Sequence, residues 1–121
     1  MTTIPFASNS SPLEIDVQTF GQRLQTGFDN VQLIDVREPW EVDRAAIAGF
    51  VNLPLSTFGE WESQIHQRFD LDTETIVMCH HGIRSAQMCQ WLRQQGFTDA
   101  RNLVGGIDAF SCQVDASIPR Y

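Results

Sequence analysis

The sequence predicts an α/β protein whose parallel sheet is covered by helices on both faces. Short apolar runs rich in β-branched residues alternate along the chain with segments of helical period. The connections between them lack the turn residues that mark a β-hairpin, which favours parallel pairing. One run, Ile76-Val77-Met78, ends at Cys79 and is followed by a short loop and a helix. Open α/β sheets place their ligands at such strand ends.

The chain of 121 residues is long enough for one domain, which we expect to occupy residues 13–121. We expect residues 1–12 to form a flexible N-terminal segment, because residues 7–12 are rich in Ser, Asn and Pro. This segment has neither the charged start nor the apolar run of a secretory signal or membrane anchor. A reducing cytoplasm is therefore the expected compartment, where a catalytic thiol would stay available.

Charge and composition argue against several classes of function. The net charge of −7 at pH 7 disfavours binding to nucleic acid or to an anionic membrane. All eight cationic residues are arginine, which excludes a Schiff-base lysine and a Walker P-loop. The three cysteines have no close pair, so neither a disulfide framework nor a structural zinc site is expected; they are Cys79, Cys89 and Cys112.

The first third of the chain predicts two strands around a helix. Residues 13–15 form a short strand, after which Asp16 is a good N-cap for a helix that ends at Gly27. Residues 31–36 then form a strand that is apolar on both faces until Asp35, which indicates a strand buried inside the sheet.

The middle of the chain predicts a short helix, a strand and a longer helix. Pro39 begins the short helix, which runs to about residue 46. Residues 49–54 form the strand, and Ser56 caps the longer helix. Apolar residues recur in that helix at spacings of three and four, which predicts a core-facing stripe: Phe58, Trp61, Ile65 and Phe69.

The last part of the chain surrounds the cysteine loop. A strand over residues 75–78 leads into the loop, and a helix over residues 84–95 leaves it and stops at Gly96. Residues 101–104 form the last clear strand. Gly105-Gly106 turns this strand into a short helix and lacks the remainder of a dinucleotide fingerprint.

The cysteine loop has the features of an anion site. Five successive backbone N–H groups of a curled loop, together with the positive end of the next helix, favour an anion. A thiolate is such an anion. We therefore expect the sulfur of Cys79 to be ionised, exposed and reactive at neutral pH.

Four stretches, in order, together resemble the single-domain rhodanese-like sulfurtransferases. They are residues 33–38, residues 47–54, the loop at residues 79–85, and the tail from Gly96-Phe97 through residues 103–107 to residues 119–121. The resemblance implies a five-stranded, mostly parallel sheet flanked by helices on both faces. It also implies that Cys79 carries sulfur as a persulfide.

By this resemblance, the Cys79 thiolate takes the outer sulfur of a small anionic donor such as thiosulfate. The sulfur then passes to cyanide, a thiol or a partner protein, which is covalent catalysis without a cofactor or a metal. Two alternatives are a persulfide carrier that serves a protein partner and a non-catalytic rhodanese module used for binding. Replacement of the cysteine usually marks such modules, and this chain keeps it. The oligomeric state is left open.

Two details of the sequence qualify the resemblance. Four residues separate Cys79 from Arg84, which gives the six-residue loop typical of sulfurtransferases. Related phosphatases and arsenate reductases have one residue more, so this loop is too short for phosphate. Ala45-Ala46 stands where the family usually has Gly-His. We expect an altered hydrogen bond near the end of that helix, without loss of chemistry.

The loop residues His80, His81, Gly82, Ile83, Arg84 and Ser85 are the predicted substrate-binding group. Arg84 offers a planar fork to a sulfonate, although it could instead pair with a carboxylate. Gly82 supplies a backbone geometry that other residues resist. Ser85 either caps the helix or donates its hydroxyl to sulfur, and we favour the cap.

The two histidines and the remaining cysteines are given lesser roles. A metal site formed by the histidines with Cys79 and Cys89 is disfavoured, because adjacent residues rarely point at one ion. One of His80 and His81 is expected to line the pocket mouth, where it could carry charge at mildly acidic pH. Cys89 falls on the apolar face of its helix and Cys112 in a polar tail, so both are interpreted as structural or incidental.

Asp35 and Arg37 are predicted to support the cysteine loop without contacting the substrate themselves. A carboxylate at the end of a buried strand needs a partner to offset its desolvation, and Arg37 or a loop N–H would serve. Asp35 is not expected to act as a general base, because attack by an existing thiolate removes no proton.

Overall fold

The computed structural model of the chain describes residues 13–121, so the prediction for residues 1–12 lies outside the described part. Five strands form one sheet in the order β1-β5-β4-β2-β3. They are β1 (Glu14–Ile15), β2 (Gln32–Asp35), β3 (Val51–Asn52), β4 (Thr75–Met78) and β5 (Ala100–Leu103). All pairings between neighbouring strands are parallel, which confirms the predicted α/β fold and makes the sheet wholly parallel.

Helices connect the strands and cover the sheet. They are α1 (Val17–Thr26), α2 (Pro39–Arg44), α3 (Phe58–Trp61), α4 (Ile65–Arg68), α5 (Ile83–Gln94) and α6 (Gly106–Gln113). Helix α1 begins as predicted, because the carboxylate of Asp16 accepts a hydrogen bond from the Thr19 N–H at 2.7 Å. It ends at Gly27, whose φ of 92° is one that glycine adopts without strain. Among residues 13–121, none of the helices combines the length and apolarity needed to span a bilayer.

The prediction of a single helix after Ser56 is wrong. The segment is broken into 3-10 turns at Leu55–Thr57 and Glu62–Gln64 and the two short helices α3 and α4. Ser56 is not a cap, because its hydroxyl donates to the carboxylate of Glu38. The apolar stripe still faces the core, and Trp61 within it also donates its indole N–H to the Pro54 carbonyl at 2.9 Å.

The two faces of the sheet bury separate apolar clusters. Successive residues of β4 point to opposite faces, so Ile76 and Met78 join one cluster while Val77 and Cys79 join the other. Helices α1 and α6 contribute to the first cluster and α5 to the second. The cysteine therefore continues the buried face of the central strand and meets the helix that follows it.

The parallel arrangement brings three loops to one edge of the sheet. Because β4 lies between β2 and β5, the segments that follow these strands start side by side at their carboxyl ends. They carry Arg37 after β2, the cysteine loop after β4, and Gly105-Gly106 after β5. The candidate site is built from these segments.

Candidate active site

Three hydrogen-bond donors converge on the sulfur of Cys79. The Gly82 N–H lies 3.0 Å from Sγ and the Ser85 N–H 3.4 Å, and the Ser85 hydroxyl oxygen lies 3.3 Å away. The sequence predicts five amides around the sulfur. In the described residues two amides and one hydroxyl contact it.

The predicted exposure of the sulfur is wrong. Cys79 as a residue is only 1% exposed, since it continues the buried central strand and its own loop curls over it. The surroundings on the loop side are nevertheless polar donors rather than hydrocarbon. A buried anion held by N–H and O–H groups avoids the desolvation cost of one held by apolar contacts.

Helix α6 sets the curl of the loop. The N–H groups of Ile107 and Asp108 donate to the carbonyls of Cys79 and His80 at 3.0 and 3.1 Å. These bonds draw the two carbonyls toward α6. Gly106 makes the approach possible, because a Cβ there would lie 2.4 Å from both carbonyl oxygens. The sequence indicates a turn at this glycine pair but not its contact with the loop.

Gly82 and Ser85 have different roles from each other at the start of α5. Gly82 is the N-cap residue, and its φ of 95° confirms the backbone role predicted for it. The cap favoured for Ser85 is wrong, because Ser85 lies within the first turn of the helix. Its hydroxyl instead faces the sulfur and the Oδ1 of Asn102, which was the other role considered.

Arg84 forms a two-pronged ion pair with Glu41. Its Nη1 and Nη2 donate to the two carboxylate oxygens at 2.8 and 2.9 Å. The same carboxylate accepts from the Glu38 N–H and from the Tyr121 hydroxyl, both at 2.9 Å. These bonds, chiefly those from Arg84, lower the pKa of Glu41 to about 2. The ion pair considered as an alternative for Arg84 is therefore present.

Asp35 is paired with Arg37, one of the two partners predicted for it. The guanidinium Nη2 lies 2.8 Å from Oδ2, and both side chains are buried. Arg37 also donates to the Ala45 carbonyl at 2.7 Å, at the end of the helix where Ala45-Ala46 replaces the usual Gly-His. A further bond of 3.0 Å reaches the Tyr121 hydroxyl, so Arg37 is connected through Tyr121 and Glu41 to the loop.

The two histidines lie in different surroundings. The ring of His80 stacks between those of His81 and Tyr121, with centroids 3.9 Å away on both sides. Burial lowers the pKa of His80, and the neighbouring His81 adds to the effect. His81 is exposed, with Nδ1 3.9 Å from a carboxylate oxygen of Asp108. Within the described chain, no group of three or more potential ligands is arranged to hold a metal ion.

The sequence also singled out one aliphatic residue of the loop and two further cysteines. Ile83 in the loop is 70% exposed, the largest exposure among the large apolar residues described. Cys89 lies in the core on the apolar face of α5, as predicted, and burial raises the pKa of its thiol to about 12. Cys112 is exposed, and both cysteines are free thiols.

Sequence reasoning missed Glu41, Asn102 and Tyr121. Asn102 carried a usable signal, because a polar residue inside a predicted strand needs a specific partner wherever the sheet buries it. Glu41 carried a weaker one, since its spacing of three from Glu38 matches the capping box observed at the start of α2. Tyr121 carried only its place in the matching tail, because its hydrogen-bond partners lie far away in the sequence.

A family model with the description "Rhodanese-like domain" matches residues 17–112. The chain belongs to the rhodanese-like family. The sequence resemblance is thus confirmed. A solved rhodanese-like domain protein from Staphylococcus aureus superposes with a TM-score of 0.71 at 24% identity, over 90% of this chain and 98% of that one. At that identity the likeness concerns the fold.

Curated relatives of this rhodanese-like chain include sulfurtransferases. A protein named sulfurtransferase from Allochromatium vinosum is 35% identical over 81% of this chain and 87% of its own length. Thiosulfate sulfurtransferase GlpE from Shewanella oneidensis is 33% identical over 67% of this chain and 76% of its own. A chloroplastic rhodanese-like/PpiC domain-containing protein from Arabidopsis thaliana is 42% identical over 89% of this chain, which spans only 37% of that protein.

Proposed function

We propose that this rhodanese-like chain transfers sulfane sulfur through a persulfide on Cys79. The observation that carries the proposal is the convergence of the Gly82 N–H, the Ser85 N–H and the Ser85 hydroxyl on one sulfur atom, 3.0–3.4 Å away. Such donors stabilise a negatively charged sulfur. The two backbone N–H groups are in place before charge develops, so they require no reorganisation during the reaction.

The proposed reaction has two displacement steps. In the first, the Cys79 thiolate attacks the outer sulfur of thiosulfate, a new S–S bond forms, and sulfite leaves with the electron pair of the broken S–S bond. In the second, cyanide or a thiolate attacks the outer sulfur of the persulfide. The product is thiocyanate or a new persulfide, and the Cys79 thiolate is released with the electron pair of its S–S bond.

The same donors serve both states of the cysteine. The thiolate and the terminal sulfur of the persulfide both carry negative charge, and backbone N–H groups can bond to either. One preorganised donor of this kind contributes about 3 kcal/mol to catalysis in other enzymes. Loss of the Ser85 hydroxyl should therefore slow transfer without abolishing it.

Arg84 is proposed to attract the anionic donor. A guanidinium has five N–H groups, and the pair with Glu41 uses two of them. The others are available to a sulfonate, which favours thiosulfate as a donor. The name of the Shewanella relative, thiosulfate sulfurtransferase, supports the same choice.

The test is turnover of thiosulfate and cyanide to thiocyanate. Cys79→Ser should abolish it, and intact mass should show one added sulfur atom in the native protein but not in the variant. Cys112→Ser, which removes an exposed free thiol, is the matched control and should keep full activity. Undiminished turnover in Cys79→Ser would refute the proposal.

A second candidate is a persulfide carrier that delivers sulfur to a protein. The exposure of Ile83, an aliphatic side chain in the cysteine loop, favours it, because a protein acceptor could bury this residue on contact. A carrier should gain one sulfur atom from thiosulfate yet form thiocyanate slowly. Rapid turnover with cyanide would favour the small-molecule enzyme.

A further inference from the structure

We infer that Asn102 is a positioning residue that controls how strongly Gly82 and Ser85 stabilise the sulfur of Cys79. The inference rests on the proposed role of Cys79 as the sulfur-carrying nucleophile. Asn102 does not touch the sulfur; it bonds to both residues that do. It lies on β5, the strand beside the one that ends at Cys79, and is 5% exposed.

The orientation of the Asn102 amide follows from its partners. One end of the amide lies 3.0 Å from the Gly82 carbonyl oxygen. A carbonyl can only accept, so this end must be the Nδ2 donor. The other end is then Oδ1, which lies 2.5 Å from the Ser85 hydroxyl oxygen and can only accept from it.

The bond to Gly82 holds the closest donor to the sulfur. Gly82 adopts a φ of 95°, where glycine has more conformational freedom than other residues. Its N–H is 3.0 Å from Sγ while its carbonyl is held by the Asn102 amide, with a longer bond of 3.3 Å from the Ala86 N–H. The side chain on the neighbouring strand thus helps to keep the Gly82 N–H directed at the sulfur.

The bond to Ser85 creates competition for one proton. The Ser85 hydroxyl has a single proton and two acceptors, Oδ1 of Asn102 at 2.5 Å and Sγ of Cys79 at 3.3 Å. When the proton points to Asn102, the hydroxyl oxygen can accept from a neutral S–H group. When the sulfur is negative, the proton can turn toward it. A neutral amide allows this exchange, whereas a carboxylate would retain the proton.

The decisive variant is therefore Asn102→Asp, which keeps the size and shape of the side chain. Its carboxylate cannot donate to the Gly82 carbonyl, and it competes for the Ser85 proton more strongly than an amide does. We expect the pH midpoint of Cys79 alkylation by iodoacetamide to move upward by about one unit, so that alkylation is about tenfold slower at pH values below both midpoints. Alkylation is measured on the full chain with the site of labelling checked by mass spectrometry.

Asn52→Asp is the matched control. Asn52 lies at the end of β3 and its Nδ2 also donates to backbone carbonyls, those of Asp35 and Arg37 at 2.9 and 2.8 Å. It bonds to no group that contacts the sulfur in the described structure. We expect this variant to lower the unfolding midpoint while leaving the alkylation midpoint unchanged.

Ser85→Ala and Ser85→Thr give a second, independent test. Alanine should raise the alkylation midpoint, and threonine, which keeps the hydroxyl, should restore it. In the Ser85→Ala background, Asn102→Asp should cause a smaller shift than in the native chain, because one of its two routes to the sulfur is absent. If Asn102→Asp does not fold, the two Ser85 variants provide the test. An unchanged alkylation midpoint in Ser85→Ala would overturn the inference.

The alkylation experiment also separates failure of the positioning role from failure of the proposed function. If Asn102→Asp lowers stability but leaves the alkylation midpoint in place, Asn102 only satisfies buried polar groups and the inference is wrong. Alkylation requires no sulfur donor. A shifted midpoint in a protein that never gains sulfur from thiosulfate would therefore refute the proposed function and uphold the positioning role.

Discussion

Glu41 links the charged groups on the α2 side of the cysteine loop. It is 3% exposed, yet it is ionised because Arg84, Tyr121 and the Glu38 N–H all donate to it. The ion pair also restrains Arg84, which would otherwise be a free cation beside the loop. The positive charge of Arg84 is therefore partly balanced.

Glu41→Gln should destabilise the protein at neutral pH. The pKa of Glu41 is lowered from 4.5 to about 2 in the folded protein, so its ionisation stabilises the fold above pH 4.5 and this contribution is lost as the pH falls toward 2. The variant should lose up to about 3 kcal/mol at pH 7, and its difference from the native protein should shrink below pH 4.5.

Urea unfolding from pH 7 to pH 3 measures this difference. Glu60→Gln, a change of an exposed glutamate on α3, is the control and should have little effect at any pH. A constant difference between Glu41→Gln and the native protein over the whole pH range would contradict the assigned cause.

Among the elements, α6 has a role that its length does not suggest. Its first N–H groups bond to the carbonyls of Cys79 and His80, so this helix fixes the backbone of a loop that precedes it by some 25 residues. The glycine at its start is required because the two backbones come so close together.

Gly106→Ala should displace the loop. The new Cβ would lie 2.4 Å from two carbonyl oxygens, and the φ of 64° is unfavourable for alanine. We expect a loss of at least about 2 kcal/mol in unfolding free energy and a slower alkylation of Cys79. Thermal and urea unfolding, together with alkylation rates, check both effects.

Gly59→Ala is the control for this change. Gly59 lies in α3 without a positive φ, and a Cβ there would meet no atom within 4 Å. The unfolding free energy of Gly59→Ala should be unchanged or slightly raised, because alanine favours a helix. If Gly106→Ala behaved in the same way, α6 would not constrain the loop.

At the scale of the whole molecule, Tyr121 joins segments that are distant in sequence. Its ring stacks on His80, and its hydroxyl accepts from Arg37 at 3.0 Å and donates to Glu41 at 2.9 Å. Burial raises the pKa of Tyr121 to about 12, so the hydroxyl remains a donor at neutral pH. The tail is further held by an ion pair between Arg120 and Asp108.

Tyr121→Phe and Tyr121→Ala should separate the two contributions of this residue. Phenylalanine keeps the stack but loses both hydrogen bonds, which should cost about 1–3 kcal/mol. Alanine also uncovers His80. Because burial is the main cause of the lowered pKa of His80, this pKa should rise toward its usual 6.5 in Tyr121→Ala and stay low in Tyr121→Phe. An NMR titration of His80 that is identical in both variants would contradict this account.

Local patterns predicted much of the architecture. The alternation of strands and helices depends on side-chain period, and the cap at Asp16 depends on a neighbour three residues away, so both can be inferred from short stretches. The capping role predicted for Ser56 failed because its hydroxyl binds Glu38, 18 residues away, instead of the helix N-terminus. A long-range bond overrode a plausible local capping signal there.

The sequence by itself determined the fold class, the place of Cys79 at the end of the central strand, and the glycine that lets its loop turn. Only the tertiary structure decided that the sulfur is buried, that Glu41 pairs with Arg84, and that Asn102 holds both Gly82 and Ser85. The physical reason is the separation along the sequence of the residues that interact. Periodicity and backbone freedom are properties of adjacent residues, whereas these bonds join residues on different strands and helices that only the folded chain brings together.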